Sequence, residues 1–168
     1  MLKKSLLSSS LTILVLLTSA QVNDPAKFVN PFIGTDFHGH TYPGATVPFG
    51  MVQLSPDTRL TGWDGCSGYH YSDKLVYGFT HTHLSGTGCL DLGDILIIPT
   101  VGKPEVDNKL YSSPFRKETE KAKPGYYSVY LDKPKVLAEL TSTARVGFHR
   151  YTYPKTKGAN IILDLQHR

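Results

Sequence analysis

In residues 126–166 the sequence reads YYSVYLDKPKVLAELTSTARVGFHRYTYPKTKGANIILDLQ. Apolar and polar residues alternate there with a period of two, which is typical of strands that bury one face. Four such segments are separated by turns containing proline, glycine or polar residues: 126–131, 135–143, 145–153 and 159–166. The last segment has an apolar centre, 161–163, which predicts a buried strand. Four consecutive strands with short connections indicate an antiparallel sheet.

The rest of the chain extends this pattern. Shorter segments at 46–54, 76–83 and 94–101 also favour strands, and only 113–121 favours a helical turn. With 168 residues, the chain has the length of one domain. We therefore predict an all-β antiparallel β-sandwich rather than a parallel α/β sheet.

The composition limits the possible partners. Hydrophobic residues make up 40% of the chain and charged residues 19%, which excludes a disordered chain. Two of the 18 basic residues, Lys3 and Lys4, precede an apolar stretch, and the remaining basic residues nearly balance the 14 acidic ones. No basic cluster interleaves with aromatic residues, so a nucleic-acid partner is not expected.

Residues 1–20 have the pattern of a secretory signal peptide. A short basic start is followed by an apolar run too short to span a bilayer, and then by Ser19 and Ala20. We expect an exported protein, periplasmic or extracellular, with a mature domain over 21–168 and no membrane span. The chain ends soon after the apolar segment 161–165, so we also expect this sandwich to be incomplete and to be the front part of a longer protein.

Three glycine-rich loops hold the residues best suited to binding. They read GTDFHGHTYPGA, GWDGCSGY and HTHLSGTGC, over residues 34–45, 62–69 and 81–89. Glycines stabilise neither strands nor helices, so such loops are commonly places where ligands bind. Trp63, the one Trp of the chain, lies between Gly62 and Asp64, and its position on a turn leaves exposure and burial equally open. An exposed ring beside a carboxylate suits a sugar.

The remaining polar residues leave alternatives open. The pairs His38/His40 and His81/His83 would each share a face in a strand and suit a metal, although hydrogen-bonded loop histidines are the favoured interpretation. Cys66 and Cys89 form either a disulfide or two free thiols. No catalytic residue is assigned, because no carboxylate pair and no Gly-x-Ser-x-Gly elbow is evident; Asp57, after Ser55-Pro56, is predicted to lie in a turn.

Several motifs together resemble the start of glycoside hydrolase family 92, and the resemblance spans residues 28–168. The motifs are VNPFIGT (29–35), HGHTYPGA (38–45), VPFGMVQLSPD (47–57), WDGCSGY (63–69), FTHTHLSGTG (79–88), DLGD (91–94) and PGYY (124–127).

The resemblance implies both a fold and a function. Members of the family are calcium-dependent, inverting exo-α-mannosidases with an N-terminal β-sandwich similar to galactose-mutarotase-like domains and a larger C-terminal helical-barrel domain. By this resemblance the chain is the carbohydrate-binding sandwich of a secreted enzyme, and the α-mannoside glycan and the helical barrel are its partners. The general acid, the general base and most of the calcium ligands would belong to the barrel, so the chain alone would be inert.

The resemblance also implies which residues meet the mannose. The 34–40 loop and the turn at 63–66 would supply the substrate-binding residues, which we predict to be Gly34, Phe37, His38, Trp63, Asp64 and Cys66. Asp36-Phe37 departs from the small residues more usual at these positions in the family. Two alternatives from other classes remain, a stand-alone carbohydrate-binding module and a structural β-sandwich of a surface assembly.

Overall fold

A computed structural model describes residues 24–167, so the predicted signal peptide at 1–20 lies outside the described residues. Within residues 24–167, helix is limited to one α-helical turn, Asn108–Tyr111, and three 3₁₀ turns, Pro25–Phe28, Trp63–Gly65 and Lys117–Thr119. No helix within 24–167 is long and apolar enough to cross a bilayer. The strands are β1 (Ser55–Asp57), β2 (Leu75–Val76), β3 (Gly78–Thr80), β4 (Leu96–Val101), β5 (Ser113–Pro114), β6 (Lys121–Lys123), β7 (Tyr126–Leu131), β8 (Val136–Ser142), β9 (Gly147–Thr152) and β10 (Ala159–Asp164).

The strands form two four-stranded antiparallel sheets and a short ribbon. The first sheet has the order β1-β3-β4-β10, and the second has the order β6-β7-β8-β9. Strands β2 and β5 pair as the ribbon. The second sheet follows chain order because tight turns join its strands, and Lys135 takes a left-handed φ of 57° in the turn between β7 and β8.

The core lies between the two sheets. Phe79 of β3 packs with Tyr127 and Val129 of β7 and with Ala138 and Leu140 of β8, and all five are buried. Along β8 the buried residues alternate with more exposed ones, as the period-two pattern predicts. The all-β antiparallel β-sandwich is therefore confirmed.

Three predicted elements differ in the structure. Segment 46–54 is not a strand but a loop closed by hydrogen bonds between Ala45 and Leu54, and Phe49 within it has a left-handed φ of 59°. Segment 76–83 contributes only two short strands, β2 and β3, the first beginning one residue earlier. The predicted helical turn at 113–121 is a 3₁₀ turn of three residues after β5.

Strand β10 is paired, but it is not the buried strand that the sequence predicts. It pairs with β4 over six residues, and Ile162 is 8% exposed, whereas Ile161 and Leu163 are 61% and 56% exposed. Leu163 lies opposite Ile97, which lies opposite core residue Phe79, so Leu163 belongs to the core side of the sheet. No described strand of the second sheet covers that end, and its apolar side chains therefore face solvent.

Candidate functional site

The turn Trp63–Gly65 presents the indole at the surface. Gly62 enters it with a φ of 89°, which glycine adopts without strain, and the Gly65 amide donates to the Gly62 carbonyl over 3.0 Å. The Cys66 amide donates to the Trp63 carbonyl over 3.3 Å and completes the turn. Trp63 is 57% exposed, so its ring lies at the surface and not in the core.

Two histidines hold the carboxylate next to this ring. His38 Nδ1 lies 2.7 Å from Asp64 Oδ1, and His40 Nε2 lies 3.3 Å from the same oxygen. An ionised carboxylate only accepts hydrogen bonds, so both of these ring nitrogens carry the proton. The other oxygen, Oδ2, has no hydrogen-bond partner among residues 24–167 and can accept hydrogen bonds from a ligand.

The histidines also set the charge of Asp64. The hydrogen bond from His38 lowers the pKa of the Asp64 carboxyl below its usual value; desolvation opposes this lowering, and the hydrogen bond from His40 adds to it. Asp64 therefore stays ionised over the physiological pH range.

The same imidazoles support the indole. His40 meets the Trp63 ring edge-on with centroids 4.3 Å apart, and His38 lies tilted against it at 4.9 Å. Phe37 in turn lies 4.1 Å from the His38 ring. Aromatic pairs at such distances stabilise a fixed ring orientation, so the loop at 34–40 orients both the acceptor and the stacking face.

The backbone of the 34–40 loop explains its shape. The Thr41 amide donates to the Gly34 carbonyl over 3.3 Å, which closes the loop, and the Gly39 amide donates to Asp36 over 3.1 Å. A side chain on Gly39 would overlap the Gly34 carbonyl. Gly34 has a φ of 80°. These glycines permit the tight loop that brings His38 and His40 to the Trp63 turn.

The two cysteines are free thiols, so the disulfide alternative is not realised. Cys66 is 1% exposed and lies beneath the turn, whereas Cys89 is exposed. The structure thus places five of the six predicted binding residues around one surface, with the thiol of Cys66 below it.

The second histidine pair separates instead of sharing a face, because β3 ends at Thr80. His81 Nε2 lies 3.1 Å from His149 Nε2, and burial together with the charge of His81 lowers the pKa of His149 to about 4. At neutral pH the imidazoles of His81 and His149 are neutral, and one of them donates a hydrogen bond to the other. Residues 24–167 hold no group of three or more His, Cys, Asp or Glu side chains arranged to bind a metal ion.

His83 forms a buried ion pair with Asp57. Its Nε2 lies 2.7 Å from Asp57 Oδ1, and Thr80 Oγ1 donates to Asp57 Oδ2 over 2.7 Å. Burial would raise the pKa of Asp57, but His83 and His167 outweigh it and hold the pKa well below its usual value. Burial likewise opposes the charge of His83, yet Asp57 raises its pKa. Asp57 therefore belongs to β1 and the core, not to the predicted turn.

Two residues outside the predicted substrate-binding set complete the site. His40 is marked in the sequence only by its spacing from His38, which suggested a metal pair, and its contact with Asp64 depends on loop closure. Gly88 packs against the Trp63 indole so closely that a Cβ would overlap Nε1. The pattern Gly86-x-Gly88 signals a tight loop, but nothing local shows which ring it approaches.

The profile of the glycosyl hydrolase family 92 N-terminal domain matches residues 28–168. The chain belongs to glycosyl hydrolase family 92. A relative from Arthroderma benhamiae, described as an uncharacterized secreted glycosidase, is 30% identical over 153 residues. The match covers 86% of this chain and 20% of that protein.

Solved family 92 structures have the same sandwich. An α-mannosidase from Bacteroides thetaiotaomicron in complex with mannoimidazole is 44% identical, with a TM-score of 0.81 over 84% of this chain. An inverting mannosidase from the same organism is 28% identical, with a TM-score of 0.72 over 87% of this chain. In both cases the family 92 chain described here covers only 20% of the longer protein, so it corresponds to an N-terminal part of these enzymes.

Proposed function

We propose that this chain is the carbohydrate-binding N-terminal domain of an exported, calcium-dependent α-mannosidase, and that it binds a terminal α-mannose at Trp63. The observation that carries the proposal is the exposed indole beside a carboxylate that His38 and His40 orient. The mannoimidazole complex of a family 92 α-mannosidase supports mannose as the sugar.

The geometry suits a sugar because each side chain meets a different part of it. The indole offers an apolar face to the C–H groups of a pyranose ring. Asp64 Oδ2 offers an acceptor to hydroxyl groups, and its charge strengthens those hydrogen bonds relative to neutral ones. Since His38 and His40 already fix the carboxylate, little side-chain entropy is lost when a sugar binds.

In this proposal, hydrolysis is carried out by another part of the longer enzyme. An inverting glycosidase needs one carboxylic acid for the leaving group and one carboxylate for water, and no such pair is recognisable in this chain. We place both, and the calcium ligands, in the helical-barrel part of the longer family enzymes. Among residues 24–167, no three or more His, Cys, Asp or Glu side chains are arranged to hold a metal ion, which is consistent with calcium ligands outside this chain.

Export is supported by two observations. Residues 1–20 have the composition of a signal peptide, and the Arthroderma relative is described as secreted. The proposal as a whole is tested by titrating methyl α-mannoside into the 168-residue chain and following the emission of Trp63, the one Trp present. Saturable binding with a dissociation constant of about 1 mM is expected, and methyl α-glucoside serves as the matched sugar control.

A further inference from the structure

His81 and His149 form a pair that lies between the two sheets. His81 follows β3 of the first sheet, and His149 lies on β9 of the second sheet, opposite the buried residue Leu140. Their Nε2 atoms are 3.1 Å apart. A Cβ at Gly147 would overlap the His81 ring, so this glycine leaves the space that the ring occupies beside β9. Both histidines are half-buried, so an ion can reach them from solvent.

These two histidines differ from the other five in having no carboxylate partner. The other five have a carboxylate oxygen 2.7–3.8 Å from a ring nitrogen: His38, His40, His70, His83 and His167. Among residues 24–167, no carboxylate oxygen lies within 4.0 Å of a ring nitrogen of His81 or His149. The two nitrogens that face each other therefore belong to neutral imidazoles, the form in which histidine binds transition metals.

The tilt of the two rings suits a shared metal ion better than a straight hydrogen bond. The ring centroids of His81 and His149 are 4.9 Å apart, whereas their Nε2 atoms are 3.1 Å apart. Rings that point straight at each other would have centroids about 5.3 Å apart, since each nitrogen lies roughly 1.1 Å from its centroid. Equal tilts of the rings towards one side bring the two lone pairs together about 2 Å from each nitrogen. This is the distance between Zn²⁺ and a histidine nitrogen.

Tyr151 is placed to orient one of the two rings. Its hydroxyl oxygen lies 2.7 Å from His149 Nδ1. A histidine that binds a metal through Nε2 carries its proton on Nδ1 and commonly donates it to a neighbouring oxygen, which fixes the tautomer and the ring orientation. The Tyr151 hydroxyl can accept this hydrogen bond. Residues 24–167 supply no third His, Cys, Asp or Glu ligand, so water completes the coordination of the ion.

We propose that His81 and His149 form a site for Zn²⁺, in which the two Nε2 atoms are the protein ligands. Imidazole nitrogen suits zinc, whereas Ca²⁺ takes oxygen ligands, so this site differs in kind from a calcium site. The ion links β9 to the loop at 81–89, in which Gly88 contacts the Trp63 ring. The proposal does not depend on sugar binding at Trp63.

Calorimetric titration of the metal-free 168-residue chain with ZnCl₂, combined with thermal unfolding, tests the site. One Zn²⁺ is expected to bind per chain and to raise the melting temperature, because an ion that binds the folded state stabilises it. His81→Ala and His149→Ala should each weaken zinc binding at least about tenfold and remove this rise. His38→Ala is the matched control, since it removes a histidine that has a carboxylate partner, and it should keep the zinc affinity. CaCl₂ is the control ion.

The possible outcomes separate this pair from the other histidines. If His38→Ala loses the ion and His81→Ala keeps it, zinc binds beside Asp64 and the proposed site is wrong. The site is also wrong if no Zn²⁺ binds to the native chain, or if Ca²⁺ binds as tightly as Zn²⁺. Should His149→Ala fail to fold, Tyr151→Phe keeps both histidines and is expected to weaken zinc binding severalfold. Unchanged zinc affinity in His81→Ala and Tyr151→Phe would then overturn the proposal.

Discussion

Gly88 lies against the indole of Trp63, and a Cβ at this glycine would overlap the ring nitrogen Nε1. The glycine also has a φ of 77°, a conformation that other residues rarely adopt. Two loops that are 25 residues apart in the chain thus meet at one ring. The orientation of the proposed sugar platform depends on this contact as well as on His38 and His40.

Gly88→Ala is expected to displace the Trp63 ring and to weaken sugar binding about tenfold, because the added methyl group has no space beside the indole. Gly86→Ala is the matched control, since Gly86 has a similar φ of 76° and open space around its Cα. Both variants carry the same backbone strain, so titration with methyl α-mannoside and the emission of Trp63 isolate the clash. Equal affinities for the two variants would contradict this role of Gly88.

Asp64→Asn is expected to weaken sugar binding while the melting temperature stays close to that of the native chain, since the residue lies at the surface. Because His38 and His40 lower the pKa of Asp64, the native chain should keep its affinity as the pH falls past about 3.9, the usual pKa of Asp. Affinity should decline only when the pH passes the lower pKa of the folded chain. Titrations over a pH series measure this, and a decline that begins well above pH 4 would argue against it.

His83→Ala is expected to destabilise the fold by about 3–5 kcal/mol, because it removes the nearest charged partner of the buried Asp57 carboxylate and leaves only Thr80 and the more distant His167. His38→Ala removes a histidine at the same 2.7 Å distance from a partly exposed carboxylate and should leave the melting temperature nearly unchanged. Thermal unfolding of the two variants makes the comparison. Similar melting temperatures would show that the buried pair contributes little.

The same pair predicts how stability depends on pH. The pKa of Asp57 is lowered by folding, so its contribution is complete above about pH 3.9 and is lost as the pH falls through the folded pKa. The pKa of His83 is raised, so its contribution is complete below about pH 6.5 and is lost as the pH rises through the folded pKa. His149 acts in the opposite sense, because folding lowers its pKa to about 4, so that stability falls as the pH drops from about 6.5 towards 4. The melting temperature should therefore be highest near pH 6.5, and a maximum at pH 8 or above, or below pH 5, would contradict this.

The exposed side chains of β10 predict self-association of the chain. Ile161 and Leu163 present apolar surface on an uncovered edge strand, which favours pairing with other molecules. The double variant Ile161→Thr/Leu163→Lys is expected to increase the monomeric fraction in sedimentation experiments without loss of thermal stability. Ile162→Thr, which changes the buried residue between them, should instead lower the melting temperature. An unchanged monomeric fraction in the double variant would count against the edge as the cause.

The chain alone is expected to release no mannose from α-mannosides, with or without added calcium. The reason is that an inverting mechanism needs an acid and a base, and neither is recognisable here. The measurement is release of free mannose by the purified 168-residue chain. Calcium-dependent release above the rate without protein would mean that the chemical groups are present in this chain.

The run of strands from β7 to β10 is the part of the fold that the sequence predicts best. Residues 126–131 are β7 without any change of boundary, and the next three strands differ by one or two residues at their ends. These strands combine period-two alternation with proline and glycine turns, so local and tertiary preferences agree. The predicted strand at 46–54 is wrong because the apolar–polar alternation continues through a loop. Phe49 in that loop adopts a left-handed φ, which residue propensities do not predict.

The site is predictable only in its local parts. The flanking glycines mark Trp63 as a turn residue, and its exposure follows from the 3₁₀ turn. The contacts of Asp64 with His38 and His40 span 26 and 24 residues, and they depend on how two loops fold onto each other. The burial of Ile162 between two exposed neighbours depends on which strands cover β10, which the segment itself does not encode.

Binding of methyl α-mannoside to the native chain and to Trp63→Ala, measured by calorimetry together with thermal unfolding, tests the sugar site at Trp63. The native chain should bind saturably, and Trp63→Ala should bind at least about thirtyfold more weakly, or by about 2 kcal/mol, at a nearly unchanged melting temperature. Phe148, an exposed aromatic residue on β9, provides the control: Phe148→Ala should bind methyl α-mannoside with the affinity of the native chain. Unchanged affinity in Trp63→Ala, or a sharp fall in its melting temperature, would contradict the assignment of this ring to a sugar site.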